Sequence, residues 1–240
     1  MQTEELKKIV QELIDTFKES GKVALELRKE GLKKEIKEDN TPVTNGDLAV
    51  NRILIDKISK LTPNIPIVSE ETSKNKNNRN LKNFWLIDPI DGTSEYINNR
   101  DEFTINAALI LNKKPVAGLI NAPEKKRLFY SYGRGNSFEL ENNKEIKLPD
   151  RRKNKDEITA VTYSDSLKPE ILEIHKKFNV KKFKKMKSSL KFCVVASGEF
   201  DLYIADARAC EWDIAAGHAI LEHSGGSLTD FDGNEIFYGK

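Results

Sequence analysis

The chain has 240 residues, 38% of them hydrophobic and 32% charged, and its 40 basic and 38 acidic side chains leave a formal net charge of +2. That length suits one large domain or two closely packed lobes, and so even a charge balance lacks the concentrated basic face that nucleic-acid binding requires. The acidic N-terminus, Met1-Gln2-Thr3-Glu4-Glu5, reads as neither a signal peptide nor a transit peptide, and no apolar run approaches the ~18 residues of a membrane span.

The first predicted element is a long helix. Leu6, Ile9, Val10, Leu13, Ile14, Phe17, Ala24 and Leu25 recur at spacings of three and four, forming one apolar stripe that ends near Gly31. A polar stretch and a break at Pro42 follow. Thr44, with Asp47 three residues on, then resembles a capping box opening a helix that carries Leu48, Ile53, Leu54, Ile58 and Leu61. Ile65-Pro66-Ile67-Val68 reads as a strand that delivers Ser69-Glu70-Glu71 at its end. Residues 72–83 form an Asn/Lys-rich loop, after which Phe84-Trp85-Leu86-Ile87 is an apolar strand running into Asp88. Strands over 103–111, 116–121 and 128–132, separated by turns, predict a partly antiparallel sheet in the first half.

The second half alternates: a strand over 158–163, helices over 169–178 and 190–197, a strand over 200–205, and a helix over 214–223. The pattern is α/β, with a boundary near 141–157 that divides the chain into an N-terminal lobe, 1–145, and a C-terminal lobe, 146–240. Lys181, Lys182, Lys184, Lys185 and Lys187 read as solvated surface, or alternatively as a rim attracting an anionic substrate. Cys193 and Cys210 keep no metal-binding spacing, which suits two buried or half-buried thiols in a reducing cytoplasm.

The chemistry concentrates in Asp88-Pro89-Ile90-Asp91-Gly92-Thr93. Aspartates three apart fall on opposite faces of a regular strand, so the segment is expected to turn sharply, helped by Pro89 and Gly92. Such a turn aims two carboxylates and a backbone carbonyl into one space, the oxygen environment that a hard divalent cation prefers. The amides of Gly92 and Thr93 are then free to hold phosphate oxygens. Taken alone, the segment also fits a plain surface turn, and Asp213 after Trp212 also fits a helix N-cap. The acidic pair Glu70-Glu71 at a strand end and an Asp47–Thr93 pair able to orient water favour the chemical reading. Glu211 fits either a pocket lining or a solvated first turn, His218 and His223 fit packing or surface roles, and His175 is expected to be exposed.

Glu70-Glu71, Asp88-Pro89-Ile90-Asp91-Gly92-Thr93 and Trp212-Asp213-Ile214-Ala215-Ala216-Gly217 resemble, in order and separation, the three motifs of the lithium-sensitive, Mg²⁺-dependent phosphatase superfamily that includes inositol monophosphatase. Pro42-Val43-Thr44 before Asp47, Asp101-Glu102-Phe103-Thr104-Ile105-Asn106 and Ser188-Ser189-Leu190-Lys191-Phe192-Cys193 are most similar to its CysQ-type 3'(2'),5'-bisphosphate nucleotidase branch. The resemblance implies a layered αβαβα sandwich with two to three Mg²⁺ ions. It implies one metal at Glu70, Asp88 and the Ile90 carbonyl, a second at Asp88, Asp91 and Asp213, and a looser third supported by Glu70. Asp47 and Thr93 would orient and deprotonate the attacking water, and Glu71 would support the site without binding metal. Gly92, Thr93, Asp213, Ser188 and Lys191 would contact the substrate, although Lys191 alone also reads as a surface lysine and Ser188 as a helix cap.

The implied reaction removes the 3'-phosphate of adenosine 3',5'-bisphosphate, a by-product of sulfate assimilation. Inositol monophosphate or a sugar phosphate is the alternative substrate, and a non-catalytic regulatory binding protein the alternative role. A small phosphorylated nucleotide is the expected partner, with no nucleic acid, in a cytoplasmic protein compatible with peripheral membrane association and a homodimer. The chain ends at Lys240, short of the further strand such proteins usually add.

Overall fold

The computed structural model describes residues 1–37, 40–72, 80–142, 144–149, 157–205 and 209–239. Most of the predicted 72–83 loop and nearly half of the 141–157 boundary therefore lie outside the described residues.

The first helix, α1 (Thr3–Glu30), is followed by a hairpin of β1 (Lys34–Ile36) and β2 (Pro42–Thr44) and by α2 (Asn45–Leu61). The Thr44–Asp47 capping box forms as expected, fixing where α2 starts. Then come β3 (Ile67–Ser69), β4 (Phe84–Asp91), the short α3 (Thr93–Ile97), β5 (Thr104–Leu111), β6 (Lys114–Ala122), β7 (Arg127–Ser131), β8 (Ser137–Glu141) and β9 (Lys144–Lys147). These seven strands form one sheet in chain order, parallel between β3 and β4 and antiparallel from there on. The C-terminal part supplies β10 (Ile158–Thr162), α4 (Pro169–Lys177), β11 (Val180–Lys185), α5 (Leu190–Ala196), β12 (Leu202–Tyr203) and α6 (Glu211–His223). Its three strands form a parallel sheet of order β11-β10-β12.

The period-two alternation of β4 builds the layers. Trp85 and Ile87 point into a core shared with Leu13 and Phe17 of α1 and Leu54 of α2. Phe84 and Leu86 point the other way, into a core with Phe192 of α5, Ile220 of α6 and Val161 of β10. With α4 packed on β11, the order is helix, large sheet, helix, small sheet, helix: the expected αβαβα sandwich. Each fully buried Leu, Ile or Phe contributes ~2 kcal/mol to these layers. Glycines set the closest approach. A Cβ at Gly118 of β6 would lie 2.5 Å from the Ala216 carbonyl oxygen, and one at Gly217 would lie 2.4 Å from the Phe192 ring.

Several expectations need correction. The β1–β2 hairpin, β9 and β11 fall outside the expected strands because they are short or Lys-rich with little apolar alternation. β8, also outside them, does alternate, Phe138 and Leu140 standing between polar residues, and was legible as a strand. β11 is an edge strand whose lysines face water, a common guard against edge pairing. The strand expected over 200–205 shrinks to Leu202–Tyr203. His175 is buried, its ring 5.9 Å from that of Phe183, because its helical position turns it onto β11. Cys193 is buried but Cys210 is exposed. No helix among the described residues is long and apolar enough to cross a membrane.

Candidate active site

The Asp88–Asp91 segment does not leave the sheet in a turn; it carries a β-bulge. Asp88 pairs with Asn106 and Asp91 with Thr104, so three steps along β4 match two along β5. One extra residue re-aims the strand and brings both aspartates to one side, which a regular strand cannot do. The sharp change of direction comes one residue later. Gly92, at φ +92° in the left-handed region, leads into α3.

Asp213 joins them from α6. It is the third helical residue rather than the N-cap, and its Oδ2 accepts the N–H of Cys210 at 2.7 Å. One side-chain oxygen thus caps the helix while the carboxylate stays in the cleft, so the two readings of Asp213 are compatible. One oxygen from each of Asp88, Asp91 and Asp213 lies within 4.8 Å of the others. Two charges at that spacing repel by on the order of 3 kcal/mol at an effective dielectric of ~20. Burial first, then the charges of Asp91, Glu70 and Asp213, hold the Asp88 carboxyl well above the usual carboxylate range. Burial and then Asp91 push Asp213 to about 7. Asp88 Oδ1 is buried with no hydrogen-bond partner among the described residues. An orphaned carboxylate oxygen beside two more carboxylates fits a divalent cation bound through oxygen.

Glu70 stands outside that tight trio. Its N–H donates to the Ile87 carbonyl at 3.1 Å, and its carboxylate accepts from Lys37 Nζ at 2.9 Å. The same ammonium reaches Glu71 at 2.8 Å. Burial pushes Glu71 up to about 7, with Lys37 opposing. Burial works against the Lys37 ammonium, but its bonds to Glu71 and Glu70 outweigh it and raise its pKa. Sequence reading missed Lys37, which looked like one more lysine in a polar stretch.

Asp47 is fully buried. Its Oδ2 accepts from the Thr44 N–H at 2.8 Å and hydroxyl at 2.5 Å, leaving Oδ1 facing the Thr93 hydroxyl at 3.4 Å. That hydroxyl also lies 3.1 Å from the Ile90 carbonyl oxygen, so it has two acceptors to choose between. Burial raises the Asp47 pKa, against the bonds from Thr44.

Across the cleft, Ser188 takes a left-handed backbone (φ +54°), strained for a residue with a Cβ. Lys191 Nζ donates to the Ser188 carbonyl and sits 5.3 Å over the Tyr203 ring. Lys191 is buried, which lowers its pKa, and Ser189, not Ser188, occupies the N-cap position of α5. The surface-lysine reading of Lys191 therefore falls away, whereas the Ser188 hydroxyl does accept the N–H of Leu190, the first residue of α5, at 3.4 Å. Glu211 is not simply a solvated first-turn carboxylate, since its two oxygens accept the Gly239 N–H at 2.9 and 3.0 Å. His218 packs with its Nδ1 2.8 Å from the Tyr238 hydroxyl, and His223 Nδ1 accepts from the Gly133 N–H at 3.2 Å. A groove of about 540 Å³ lies elsewhere, between α1 and β6–β8, and none of these site residues lines it.

The inositol monophosphatase family model matches residues 5–240. The 3'(2'),5'-bisphosphate nucleotidase CysQ of Salmonella typhimurium is 36% identical over 204 residues, covering 84% of this chain and 81% of that protein. The protein of the same name from Buchnera aphidicola is 39% identical over 207 residues, covering 84% and 76%. Among solved structures, CysQ from Bacteroides thetaiotaomicron, a bacterial member of the inositol monophosphatase family, superposes with a TM-score of 0.71 at 32% identity, covering 90% of this chain and 86% of that one. Thermotoga maritima IMPase gives a TM-score of 0.74 at 25% identity, covering 93% and 86%. With its layers, its bulged acidic strand and these matches in agreement, the chain belongs to the inositol monophosphatase family.

Proposed function

We propose that the protein is a Mg²⁺-dependent phosphatase that hydrolyses the 3'-phosphate of adenosine 3',5'-bisphosphate, giving AMP and phosphate. The observation that carries the reading is the convergence of Asp88, Asp91 and Asp213 within 4.8 Å around an unpartnered Asp88 oxygen. Asp88, Asp91 and Asp213, joined by Glu70 and the Ile90 carbonyl, would hold Mg²⁺, which supplies charge neutralisation for the phosphate and a lower pKa for the attacking water. Thr93 accepts a proton from that water at Oγ1 while turning its own hydroxyl proton toward Asp47 Oδ1. Asp47, made more basic by burial, is suited to take it. The first-turn amides of α3, at Gly92 and Thr93, hold the phosphate, and Glu71 keeps Lys37 in place.

Two things support a nucleotide over an inositol ester: the names of the similar CysQ proteins, and a buried Lys191 that gives a second phosphate a point charge away from the reacting one. Ser188, Asp213 and Lys191 are the proposed substrate contacts. The two lobes, 1–145 and 146–240, act as one catalytic unit, since Asp88 and Asp91 come from the first and Asp213 from the second. The reading carries with it two to three Mg²⁺ per site and a cytoplasmic enzyme, with peripheral membrane attachment and homodimer formation open to fractionation and sedimentation. The test is phosphate release from adenosine 3',5'-bisphosphate beside myo-inositol 1-phosphate under Mg²⁺. Preference for the inositol ester would sink the nucleotide assignment, and an active Asp91→Asn variant would sink the metal assignment.

A further inference from the structure

Ser189 belongs to no expected site, yet it has the densest set of polar contacts in the cleft. It is buried at the N-terminus of α5, 2% exposed. Its N–H and its hydroxyl both donate to the same oxygen, Asp91 Oδ2, each at 2.5 Å. The hydroxyl oxygen also lies 2.6 Å from the Asp213 backbone carbonyl and accepts from Asn106 Nδ2 at 3.0 Å. Asn106 itself reaches Asp91 Oδ2 at 3.4 Å and sits on β5 opposite Asp88. One hydroxyl has one proton and two lone pairs, so it donates to Asp91 or to the Asp213 carbonyl while accepting from Asn106. With the N–H on Asp91 and the hydroxyl on the Asp213 carbonyl, Ser189 ties β4 and α6, which carry the aspartates, to each other and, through Asn106, to β5. One turn later on α5, Phe192 packs on Gly217, one turn after Asp213 on α6. Ser189 and Phe192 together lock α5 to α6.

Resting on the metal reading above, we infer that Ser189 is the positioning residue of the three-aspartate cation site. The Ser189 N–H, donated to Asp91 Oδ2, holds the Asp91 carboxylate, and the hydroxyl, when it donates to the Asp213 carbonyl, fixes the third aspartate relative to it. Preorganised like-charged groups bind a cation more tightly because they do not have to be gathered at the moment of binding. Ser189 also lies between Ser188 and Lys191, so the segment that faces the substrate is anchored directly to Asp91. Metal affinity and the seating of that segment are thereby one structural event.

The test is calorimetric titration of the full chain with Mn²⁺, comparing wild type, Ser189→Ala, Ser189→Thr and Asp213→Asn, with melting temperatures recorded in EDTA. Outer partners of metal ligands of this kind are worth ~10–100-fold in affinity. Because the Ser189 N–H remains in the alanine variant, the expected loss there is about 5–10-fold. Ser189→Thr restores the hydroxyl and recovers affinity to within about threefold. Turnover of Ser189→Ala follows the same shift, with a raised Mg²⁺ requirement and a kcat that recovers at saturating Mg²⁺. Wild-type Mn²⁺ affinity in a folded Ser189→Ala protein overturns the inference. If Ser189→Ala does not fold, Asn106→Ala, which removes the donor to the same hydroxyl, must weaken Mn²⁺ binding, and unchanged affinity there overturns it equally. Should Asp213→Asn bind Mn²⁺ as wild type does, the metal reading itself has failed, an outcome distinct from the failure of Ser189 alone.

Discussion

Asp213→Asn is expected to make the metal-free protein more stable while abolishing its response to metal. The amide is isosteric, so its oxygen can keep the cap on the Cys210 N–H, and its NH₂ can donate to Asp88. What disappears is a carboxylate whose pKa rises from 3.8 to about 7 through burial and the proximity of Asp91. A folded pKa above the unfolded one means that the native state binds the proton more tightly. Stability from this group is therefore fully present below pH ~4 and is lost as pH rises through about 7. At 1.36 kcal/mol per pH unit that rise corresponds to ~4 kcal/mol, and since Asp88 takes part in the same repulsion, about half, ~2 kcal/mol, is assigned to Asp213. For a chain of this size that is a gain of about 4–8 °C in melting temperature at pH 8 in EDTA, falling to about 40% of that at pH 5 and to nothing only near pH 4. Thermal melts at pH 5, 6.5 and 8, with EDTA and with 10-fold steps of Mg²⁺, measure both effects. Wild type should gain stability from Mg²⁺ at pH 8, and the variant should gain little. A variant less stable than wild type in EDTA at pH 8, or one that Mg²⁺ stabilises equally, would refute the electrostatic account.

Replacing Thr93 by Val should lower kcat by ~10²–10³ with little change in melting temperature, because it removes the hydroxyl between Ile90 and Asp47 and keeps the shape; steady-state kinetics read this directly. Lys37→Gln removes the ammonium that bridges Glu70 and Glu71, so Mn²⁺ binding should tighten several-fold in calorimetry, and weaker binding would show that Lys37 assists the cation rather than competing with it. Gly217→Ala sets a helix-propensity gain of ~1 kcal/mol against a Cβ 2.4 Å from the Phe192 ring. The clash should win, with a net loss of ~1–2 kcal/mol in urea unfolding.

The sequence by itself determined the local features, because they depend on neighbours along the chain. The apolar stripe of α1 and the Thr44–Asp47 cap follow from helical spacing and from a side chain that reaches back three residues. The apolar strand before Asp88 and the three acidic motifs were legible in the same way, and the motifs were specific enough to imply the family. Whatever depends on residues distant in sequence was not legible. The bulge that turns Asp88 and Asp91 to one side exists only as a mismatch of register with β5. Lys37 acquires its role because a hairpin folds it onto Glu70 and Glu71, and the composition of its neighbourhood gave no sign of this. His175 is buried because β11, itself invisible in a run of lysines, packs against α4. Ser189 and Ser188 are indistinguishable as letters. Only the approach of α5 to β4 and α6 gives one of them two bonds to Asp91, since a hydroxyl's partner is chosen by tertiary geometry and not by its neighbours in the chain.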